Sequence, residues 1–419
     1  MSGEAITLGC RLNFAESEML KARVPDGTII VNSCAVTAEA VRQTRQAIRR
    51  ARRQQPAARI IVTGCAAQLE PESFAAMPEV DLVLGNGWKD SPKPFALSLS
   101  KGSPSSPQDH EKQSFDRLRT NGNIYVPEFP ELAQVAAGYR HRVRSFVAVQ
   151  TGCDHRCTFC TIWAARGPSR SLPFAAIRDA IARELDAGAA EIVLTGVDIT
   201  SYEGGLGPLA ERLLAALPAL KRLRLSSLDS IEIDETLFAL IAGEPRLMPH
   251  FHLSLQAGDD LILKRMKRRH SRAQAVALVE RIKAARPDAS IGADLIAGFP
   301  TETEEAALNS LKLLDDCDIV AAHVFPFSPR PDTPAARMPQ LERELIKARA
   351  ARLRDAAAAR RSAWLDGQIG TTQPVLVENS EKGHTDAFAP IRIAGSKRGD
   401  SGLARITGRD GDQLIGAFA

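Results

Sequence analysis

Three cysteines in the middle of the chain restrict its chemistry more than any other feature. Cys153, Cys157 and Cys160, here called the core triplet, form a C-x-x-x-C-x-x-C run. Structural zinc sites close with four ligands, and electron-transfer iron–sulfur clusters usually have four cysteine ligands. A set of three therefore predicts a four-iron cluster with one iron left open to an exchangeable ligand. The alternative is a loop on which three cysteines are spaced by chance.

Three further cysteines end short apolar runs near the start of the chain. Cys10, Cys34 and Cys65, here called the N-terminal triplet, close the segments AITLGC, GTIIVNSC and ARIIVTGC, which have the composition of strands. With helical sequence between them, notably at 37–53, they predict a βαβαβ unit with a parallel sheet. The carboxyl ends of such strands meet at one edge, so we expect the three thiols to hold a second iron cluster. The alternative is three small buried hydrophobes, the role that we predict for Cys317.

Composition argues against two other classes of protein. The 419 residues, 44% of them hydrophobic, suffice for two or three packed domains. No apolar run approaches the roughly 18 residues of a membrane span, and the first residues lack the layout of a signal peptide. Seven cysteines are an odd number for a secreted disulfide framework. We therefore predict a cytoplasmic protein, whose net charge of +4 is compatible with a nucleic acid partner.

Residues 139–368 alternate between apolar runs and helical stretches, as βα units do. The candidate strands are SFVAVQ, EIVLTG, RLRLSS, FHLSLQ, SIGADLIAG and IVAAHVFPF. A long helical stretch is expected at 259–285. A closed barrel of eight units needs about 250 residues, more than this segment offers. We therefore expect an open (β/α)6 barrel.

The segments on either side of the barrel differ from it in character. Residues 1–95 hold the N-terminal triplet and form the predicted parallel-sheet domain. Residues 96–123 are rich in Ser, Pro, Gly and charge without periodicity, which predicts a disordered insertion and leaves a recognition loop as the alternative. Residues 369–419 contain short, alternating segments separated by turns, which predict a small β-barrel. The predicted fold class is thus α/β, with a β-barrel appended.

These motifs together resemble the radical S-adenosylmethionine (SAM) methylthiotransferase family. The segments TLGCRLNFAESE, VNSCAVTAEA and VTGCAAQ are similar to its N-terminal domain, and VAVQTGCDHRCTFC with ARGPSRS is similar to the start of its radical core. Further similarity runs through EIVLTGVDITSY, PHFHLSLQAGDDLILKRMKRRHSR, GADLIAGFPTETEE and HVFPFSPRPDTPAARMP. The chain is most similar to the enzymes that modify N6-threonylcarbamoyladenosine in tRNA, rather than those acting on isopentenyladenosine or on a ribosomal protein aspartate. Residues 369–419 resemble the family's RNA-binding TRAM domain.

The resemblance implies two 4Fe–4S clusters and two uses of SAM. The core triplet would hold the cluster whose open iron binds SAM and splits it to a 5′-deoxyadenosyl radical. The N-terminal triplet would hold an auxiliary cluster that carries sulfur, which a second SAM methylates before its insertion at adenine C2. No nucleophilic side chain is implied beyond the cluster ligands, and His155 is expected to be an ordinary loop residue. The SAM contacts that the family pattern implies are Phe159, Gly196, Ser254, Gln256 and Asp294.

The resemblance also implies partners: a tRNA substrate, a reducing protein such as flavodoxin or ferredoxin, and a sulfur donor. The protein is expected to be a monomer that does not contact a membrane. Lys and Arg side chains in three places are candidates for tRNA phosphate contacts, although each set is equally compatible with a solvated surface. They are Arg42, Arg45, Arg49, Arg52 and Arg53; Lys264, Arg265, Lys267, Arg268 and Arg269; and Arg392, Lys397, Arg398, Arg405 and Arg409.

Two residues depart from the family pattern, Trp163 where relatives carry an Ile-Pro pair and Asp332 where Gly is common. These changes leave the iron ligands intact and affect substrate detail. Two alternatives from other classes remain open. One is a radical SAM enzyme that modifies a protein and uses its second cluster as an electron relay. The other is an iron-binding RNA-interaction protein without catalysis.

Overall fold

The computed structural model of the protein describes residues 3–89, 124–129, 132, 135–138 and 143–419. The disordered insertion predicted at 96–123 lies outside these residues. In the described part, no helix is both long and apolar enough to cross a membrane.

The N-terminal layer is a parallel sheet whose described strands follow one another in chain order. They are β1 (Glu4–Thr7), β2 (Thr28–Ser33), β3 (Arg59–Gly64), β4 (Leu82–Leu84) and β5 (Ile124–Tyr125). Strands β2 and β3 are rich in β-branched residues, which suit strands, and both are buried almost throughout, as in a sheet covered by helices. The predicted βαβαβ unit is confirmed, and β4 and β5 extend it.

Short and long helices connect these strands. They are α1 (Arg11–Lys21), α2 (Ala38–Gln54), α3 (Cys65–Leu69), α4 (Pro71–Ala75) and α5 (Asn86–Lys89). The Thr37 hydroxyl begins α2 by accepting a hydrogen bond from the Ala40 amide at 3.1 Å, which satisfies one free donor of the first turn.

The middle layer is an open barrel of parallel strands, within residues 143–419. Its strands are β6 (Arg144–Ala148), β9 (Glu191–Thr195), β10 (Leu223–Leu225), β11 (His250–Gln256), β12 (Ser290–Ala297) and β13 (Ile319–Pro326), and β7 (Gln150–Thr151) pairs with β8 (Arg170–Ser171) in a hairpin. A bridge between Leu228 and Leu253 joins the first three strands to the last three. No described strand links β6 to β13, so the barrel is open between them, as predicted.

Helices alternate with the barrel strands. They are α6 (Ile162–Arg166), α7 (Phe174–Asp186), α8 (Leu206–Ala216), α9 (Glu235–Gly243), α10 (Asp260–Arg265), α11 (Arg272–Ala285), α12 (Glu304–Asp316) and α13 (Arg343–Asp366). The expectation of one helical stretch at 259–285 is wrong, because a turn divides this stretch into α10 and α11. Lys267 adopts a left-handed backbone with φ of 61°, and Ser271 starts α11 in a capping box with Gln274.

Residues 372–418 form a closed β-barrel, as predicted. Its strands are β14 (Thr372–Asn379), β15 (Lys382–Thr385), β16 (Pro390–Ile393), β17 (Ser401–Asp410) and β18 (Gln413–Phe418), in the order β14-β15-β16-β18-β17. The Phe388 ring of this barrel enters the amino-terminal end of the open barrel. It stacks on His250 at 5.1 Å between centroids, and the guanidinium groups of Arg144 and Arg224 lie 4.9 and 4.7 Å from its centroid. Cation–π contacts thus dock the appended domain.

Helix α1 links the N-terminal layer to the open side of the barrel. It packs against β6, with the Phe14 and Phe146 rings 6.4 Å apart. Leu12 and Ala15 of α1 belong to the same apolar core as the barrel strands. The residues at the start of α1 are therefore placed beside the gap between β6 and β13.

Candidate iron–sulfur and SAM site

Both cysteine triplets lie after the carboxyl ends of parallel strands. Cys10 follows β1, Cys34 follows β2, and Cys65 begins α3 directly after β3. The core triplet occupies the segment between β7 and α6, after the first barrel strand. Parallel sheets and βα barrels bind their ligands at these ends, so both positions suit a ligand site.

The thiols of the N-terminal triplet converge. Gly9 has φ of +97°, and a Cβ at this position would lie 2.9 Å from Cys34 Sγ, so only glycine leaves room beside the sulfur. Burial, reinforced by the neighbouring thiols Cys65 and Cys10, raises the pKa of Cys34 to about 12. A thiol with this pKa keeps its proton at neutral pH, and metal binding must release it.

The loop of the core triplet is held in place by backbone hydrogen bonds. The Cys153 amide donates to the Gly167 carbonyl at 3.1 Å, and the Thr158 amide donates to the Met266 carbonyl at 3.1 Å. Burial is also the main cause that raises the pKa of Cys153 to about 11. The loop is therefore preorganised by both sides of the barrel mouth.

The two triplets face each other. Burial raises the pKa of Cys160 to about 12, and Cys65 of the N-terminal triplet is one of the neighbouring thiols that contribute to the rise. Helix α6, which follows Cys160, packs against α3, which begins at Cys65. Ala165 of α6 is completely buried in the core of the N-terminal layer. The fold thus brings the ligands of both predicted clusters to one interface.

A buried ion network lies under this interface. Arg166, the last residue of α6, pairs with Glu16 of α1, and Lys89 Nζ lies 2.6 Å from the same carboxylate. Although burial opposes the charge, Arg166 and Lys89 lower the pKa of Glu16 to about 2. Arg166 Nε also lies 3.4 Å from Cys65 Sγ, so the network reaches a sulfur of the N-terminal triplet.

The donors around the sulfurs fit iron–sulfur clusters. Thiolates are the usual ligands, and N–H groups near sulfur tune the reduction potential of a cluster. The Ile162 amide lies 3.4 Å from Cys160 Sγ, and Arg268 Nη1 lies 3.8 Å from Cys157 Sγ. Each triplet therefore has the sulfur ligands for three irons, and the fourth iron would remain free for a ligand such as SAM.

Two of the predicted SAM contacts lie beside the core triplet. Phe159 is partly buried in an apolar cluster of the barrel mouth. A Cβ on Gly196 would lie 2.7 Å from the Gln150 carbonyl oxygen, so only glycine permits this approach. The Gln150 side chain donates to the Gly152 carbonyl at 2.7 Å and accepts from the Asp198 amide at 2.9 Å, which joins the Gly196 loop to the cysteine loop. The contacts with SAM stay predictions.

Ser254 and Gln256 lie near the carboxyl end of β11. Gln256 has φ of +69° at an irregularity in the β11–β12 pairing, a strained conformation of the kind that clusters at binding sites. The Ser254 carbonyl accepts a hydrogen bond from Arg268 at 2.8 Å. Ser254 is therefore linked to the core triplet through Arg268, whose Nη1 approaches Cys157 Sγ.

Asp294 on β12 lies deeper in the barrel. Its Oδ1 is hydrogen-bonded to His252 Nε2 at 2.9 Å and to His323 Nδ1 at 3.0 Å. Burial opposes its ionisation, but these two imidazoles lower the pKa of Asp294 overall. One oxygen of this carboxylate is thus already engaged, and its contact with SAM stays a prediction.

Sequence reasoning did not identify a second ion network at the core triplet. Arg268 Nη2 lies 2.9 Å from Asp229 Oδ2, while Arg268 Nη1 approaches Cys157 Sγ. His155 Nε2 lies 2.5 Å from Asp198 Oδ2, and this carboxylate together with Glu232 raises the pKa of His155 to about 10. His155 therefore anchors the cysteine loop, which is more than the ordinary loop role expected for it. The charged run around Arg268 was visible in sequence, but its carboxylate partner was not.

We expect Arg268→Gln to slow SAM cleavage by about 10- to 100-fold, the range typical of groups that support metal ligands. The change removes the hydrogen bonds to Asp229 and to Cys157 while the iron ligands remain. The rate of 5′-deoxyadenosine release, per reconstituted core cluster and with a chemical reductant, measures the effect. The same change at exposed Arg281 is the control. An Arg268→Gln protein with the wild-type rate and reduction potential would contradict this role.

The three basic sets predicted to contact tRNA have different surroundings. On α2, ion pairs with carboxylates engage Arg42, Arg45, Arg49 and Arg52. In the second set, Arg268 and Arg269 belong to the network around Asp229. On the C-terminal barrel, exposed Arg392 and Lys382 stand opposite each other on neighbouring strands. Contact with tRNA stays a prediction for each set.

The two departures from the family pattern have local explanations. Asp332 has φ of +64°, a region that favours glycine and that aspartate tolerates better than most residues. The Arg156 guanidinium lies 3.8 Å from the Trp163 ring centroid, so this tryptophan packs on a residue of the cysteine loop.

Comparison with known proteins supports the sequence motifs. Residues 147–314 match the family model described as Radical SAM superfamily, and residues 4–85 match the one described as Uncharacterized protein family UPF0004. Among solved structures, the radical SAM methyltransferase TsrM from Kitasatospora setae has a similar fold, with a TM-score of 0.52 and 17% identity over 77% of this chain and 66% of that one.

Among curated relatives, the chain is 42% identical to the threonylcarbamoyladenosine tRNA methylthiotransferase MtaB of Rickettsia prowazekii, over 93% of this chain and 91% of the relative. It is 35% identical to the protein of the same name from Thermotoga maritima, over 79% and 76%. It is 32% identical to the tRNA-2-methylthio-N(6)-dimethylallyladenosine synthase of Erythrobacter litoralis, over 90% and 86%.

Proposed function

The chain belongs to the methylthiotransferase family of radical SAM enzymes, and from this membership we propose that it adds a methylthio group to C2 of N6-threonylcarbamoyladenosine beside the tRNA anticodon. Membership of the superfamily implies a 4Fe–4S cluster on the core triplet and SAM as cosubstrate. The relatives of highest identity described above carry the name of this activity.

The convergence of two cysteine triplets at one interface carries the proposal. The C2–H bond of adenine is too unreactive for acid–base chemistry, and the cluster with SAM supplies one-electron chemistry when bound. We place a second 4Fe–4S cluster on the N-terminal triplet, where it would carry the sulfur. Because α3, which begins at Cys65, packs against α6, which follows Cys160, a base held between the triplets would meet both groups. In the net reaction, C2 loses hydrogen and gains sulfur, and SAM provides the methyl group.

The reaction also requires partners that we propose by chemical role. An electron donor such as flavodoxin or ferredoxin would reduce the core cluster, and a sulfur donor would restore the auxiliary one. The C-terminal barrel, which resembles an RNA-binding domain, is the proposed tRNA contact. We propose a monomer that works in the cytoplasm, where tRNA is modified.

Mass spectrometry of tRNA nucleosides tests this function. Cells with and without the gene are compared, and loss of the methylthio group from threonylcarbamoyladenosine is the expected result. Loss from isopentenyladenosine would instead assign the activity of the Erythrobacter relative. Unchanged nucleosides would refute a tRNA substrate and direct the search to ribosomal proteins. Restoration by the wild-type gene is the control.

A further inference from the structure

A cavity of about 410 Å³ lies on the open side of the barrel, bounded by β11, β13, α13 and the C-terminal barrel. Three arginines line it, Arg11, Arg354 and Arg361, and Trp364 and Phe388 add aromatic surface. Among the described residues, no Asp or Glu lines the cavity. Its volume is that of a small-molecule pocket, and its composition favours an anion attached to an organic group.

Arg11 differs from the other two arginines because no described residue pairs with it. Arg354 approaches the Val324 carbonyl, and Arg361 lies near a carboxylate. The acidic groups that interact electrostatically with Arg11 are Glu191 and Asp294. Glu191 is already paired with an arginine, and Asp294 with an imidazole. Because Arg11 lines the cavity and has no acceptor among the described residues, its guanidinium is available to an external anion.

The position of Arg11 in the chain relates this anion to the chemistry. Arg11 follows Cys10 directly, so its Cα lies about 3.8 Å from that of a ligand of the N-terminal triplet. The proposed reaction brings adenine C2 to sulfur at this triplet. In the substrate base, one ring nitrogen separates C2 from the carbon that bears N6, and the N6 substituent ends in a carboxylate. A base placed for reaction at C2 therefore carries its carboxylate towards side chains that begin near Cys10.

We infer that Arg11 binds the threonyl carboxylate of the substrate nucleoside and so selects it over adenosines with a neutral N6 substituent. This inference rests on the proposed function. A guanidinium matches a carboxylate with two parallel hydrogen bonds, and an isopentenyl group would leave the cation unpaired. A backbone phosphate is the other oxyanion of the substrate. It is present in every tRNA, however, and has no reason to lie beside a cysteine of the N-terminal triplet.

The test measures kcat/KM of the holoenzyme, with both clusters reconstituted, on one tRNA in two forms. One form carries the free threonyl carboxylate, and the other carries its methyl ester. We expect the wild type to prefer the acid by about 100-fold, as for a buried charge pair. Arg11→Gln should reduce this preference to a few-fold at most, mainly by raising KM for the acid. Arg11→Lys should restore part of it, and exposed Arg178→Gln should keep it. Iron content confirms that each variant holds its clusters.

Two outcomes would overturn the inference alone. One is an undiminished preference for the acid in Arg11→Gln. The other is that Arg11→Gln loses the same binding affinity for the acid form, the ester form and unmodified tRNA. This result would assign Arg11 to the phosphate backbone. A wild-type holoenzyme that leaves the threonylcarbamoyl tRNA unmodified would overturn the proposed function and the inference with it. The wild-type reaction therefore distinguishes the two failures.

Discussion

Cys157→Ala is expected to abolish SAM cleavage and methylthio transfer together, whereas Cys34→Ala should retain SAM cleavage and lose methylthio transfer. Cys157 belongs to the core triplet, whose cluster would bind SAM, and two remaining thiolates cannot hold three irons. Cys34 belongs to the N-terminal triplet, which we assign to sulfur. Both products, 5′-deoxyadenosine and methylthiolated nucleoside, are quantified by mass spectrometry after anaerobic reconstitution.

Cys317→Ala is the matched control, because Cys317 is a fully buried cysteine outside both triplets. It should retain both reactions. Iron content is measured on all three variants, and each single triplet variant should lose about one cluster. Equal loss of both reactions in Cys157→Ala and Cys34→Ala, with folding preserved, would contradict the assignment of separate roles to the two triplets.

The parts of the fold that the sequence predicted depend on local signals. Runs such as TIIVNS and RIIVTG are apolar and rich in β-branched residues, and this local pattern over six residues suffices to predict a buried strand. The cysteines at the ends of these runs then fixed which edge of the sheet would hold a site. The turn between α10 and α11 was missed because Lys267 is a poor signal for a left-handed backbone, although Ser271 and Gln274 form a recognisable capping box.

The parts that were missed are pairs of residues far apart in the chain. Arg166 and Glu16 are separated by 150 positions, and Lys89 comes from a third segment. No short stretch of sequence therefore contains the whole network. One indication was available: Asn13, Glu16 and Ser17 occupy the buried face of α1. Polar residues at core positions of a helix need partners, but their spacing does not identify which distant residues provide them. The entry of Phe388 into the open barrel likewise depends on how two domains dock.

Glu16→Gln is expected to lower the free energy of unfolding by about 3–5 kcal/mol, as is typical when one partner of a buried ion pair is removed. The change keeps the side-chain shape but leaves the charges of Arg166 and Lys89 buried without a carboxylate. Because Arg166 Nε lies 3.4 Å from Cys65 Sγ, we also expect weaker iron binding at the N-terminal triplet. Urea unfolding of the full chain and iron titration measure the two effects.

The difference in free energy of unfolding between wild type and Glu16→Gln should depend on pH. This dependence distinguishes the effect of the Glu16 charge from the effect of its packing. The folded protein holds the pKa of Glu16 at about 2, below the ordinary value of 4.5. A lowered carboxyl pKa stabilises the folded state at pH values above 4.5, and this stabilisation is lost as the pH falls towards 2. The gap in stability between wild type and Glu16→Gln should therefore be constant from neutral pH down to about 5 and narrow below it. Glu39→Gln, which removes a carboxylate from an exposed ion pair, should match the wild type throughout. A gap that stayed constant at acid pH would mean that side-chain packing, and not the ion network, makes Glu16 important.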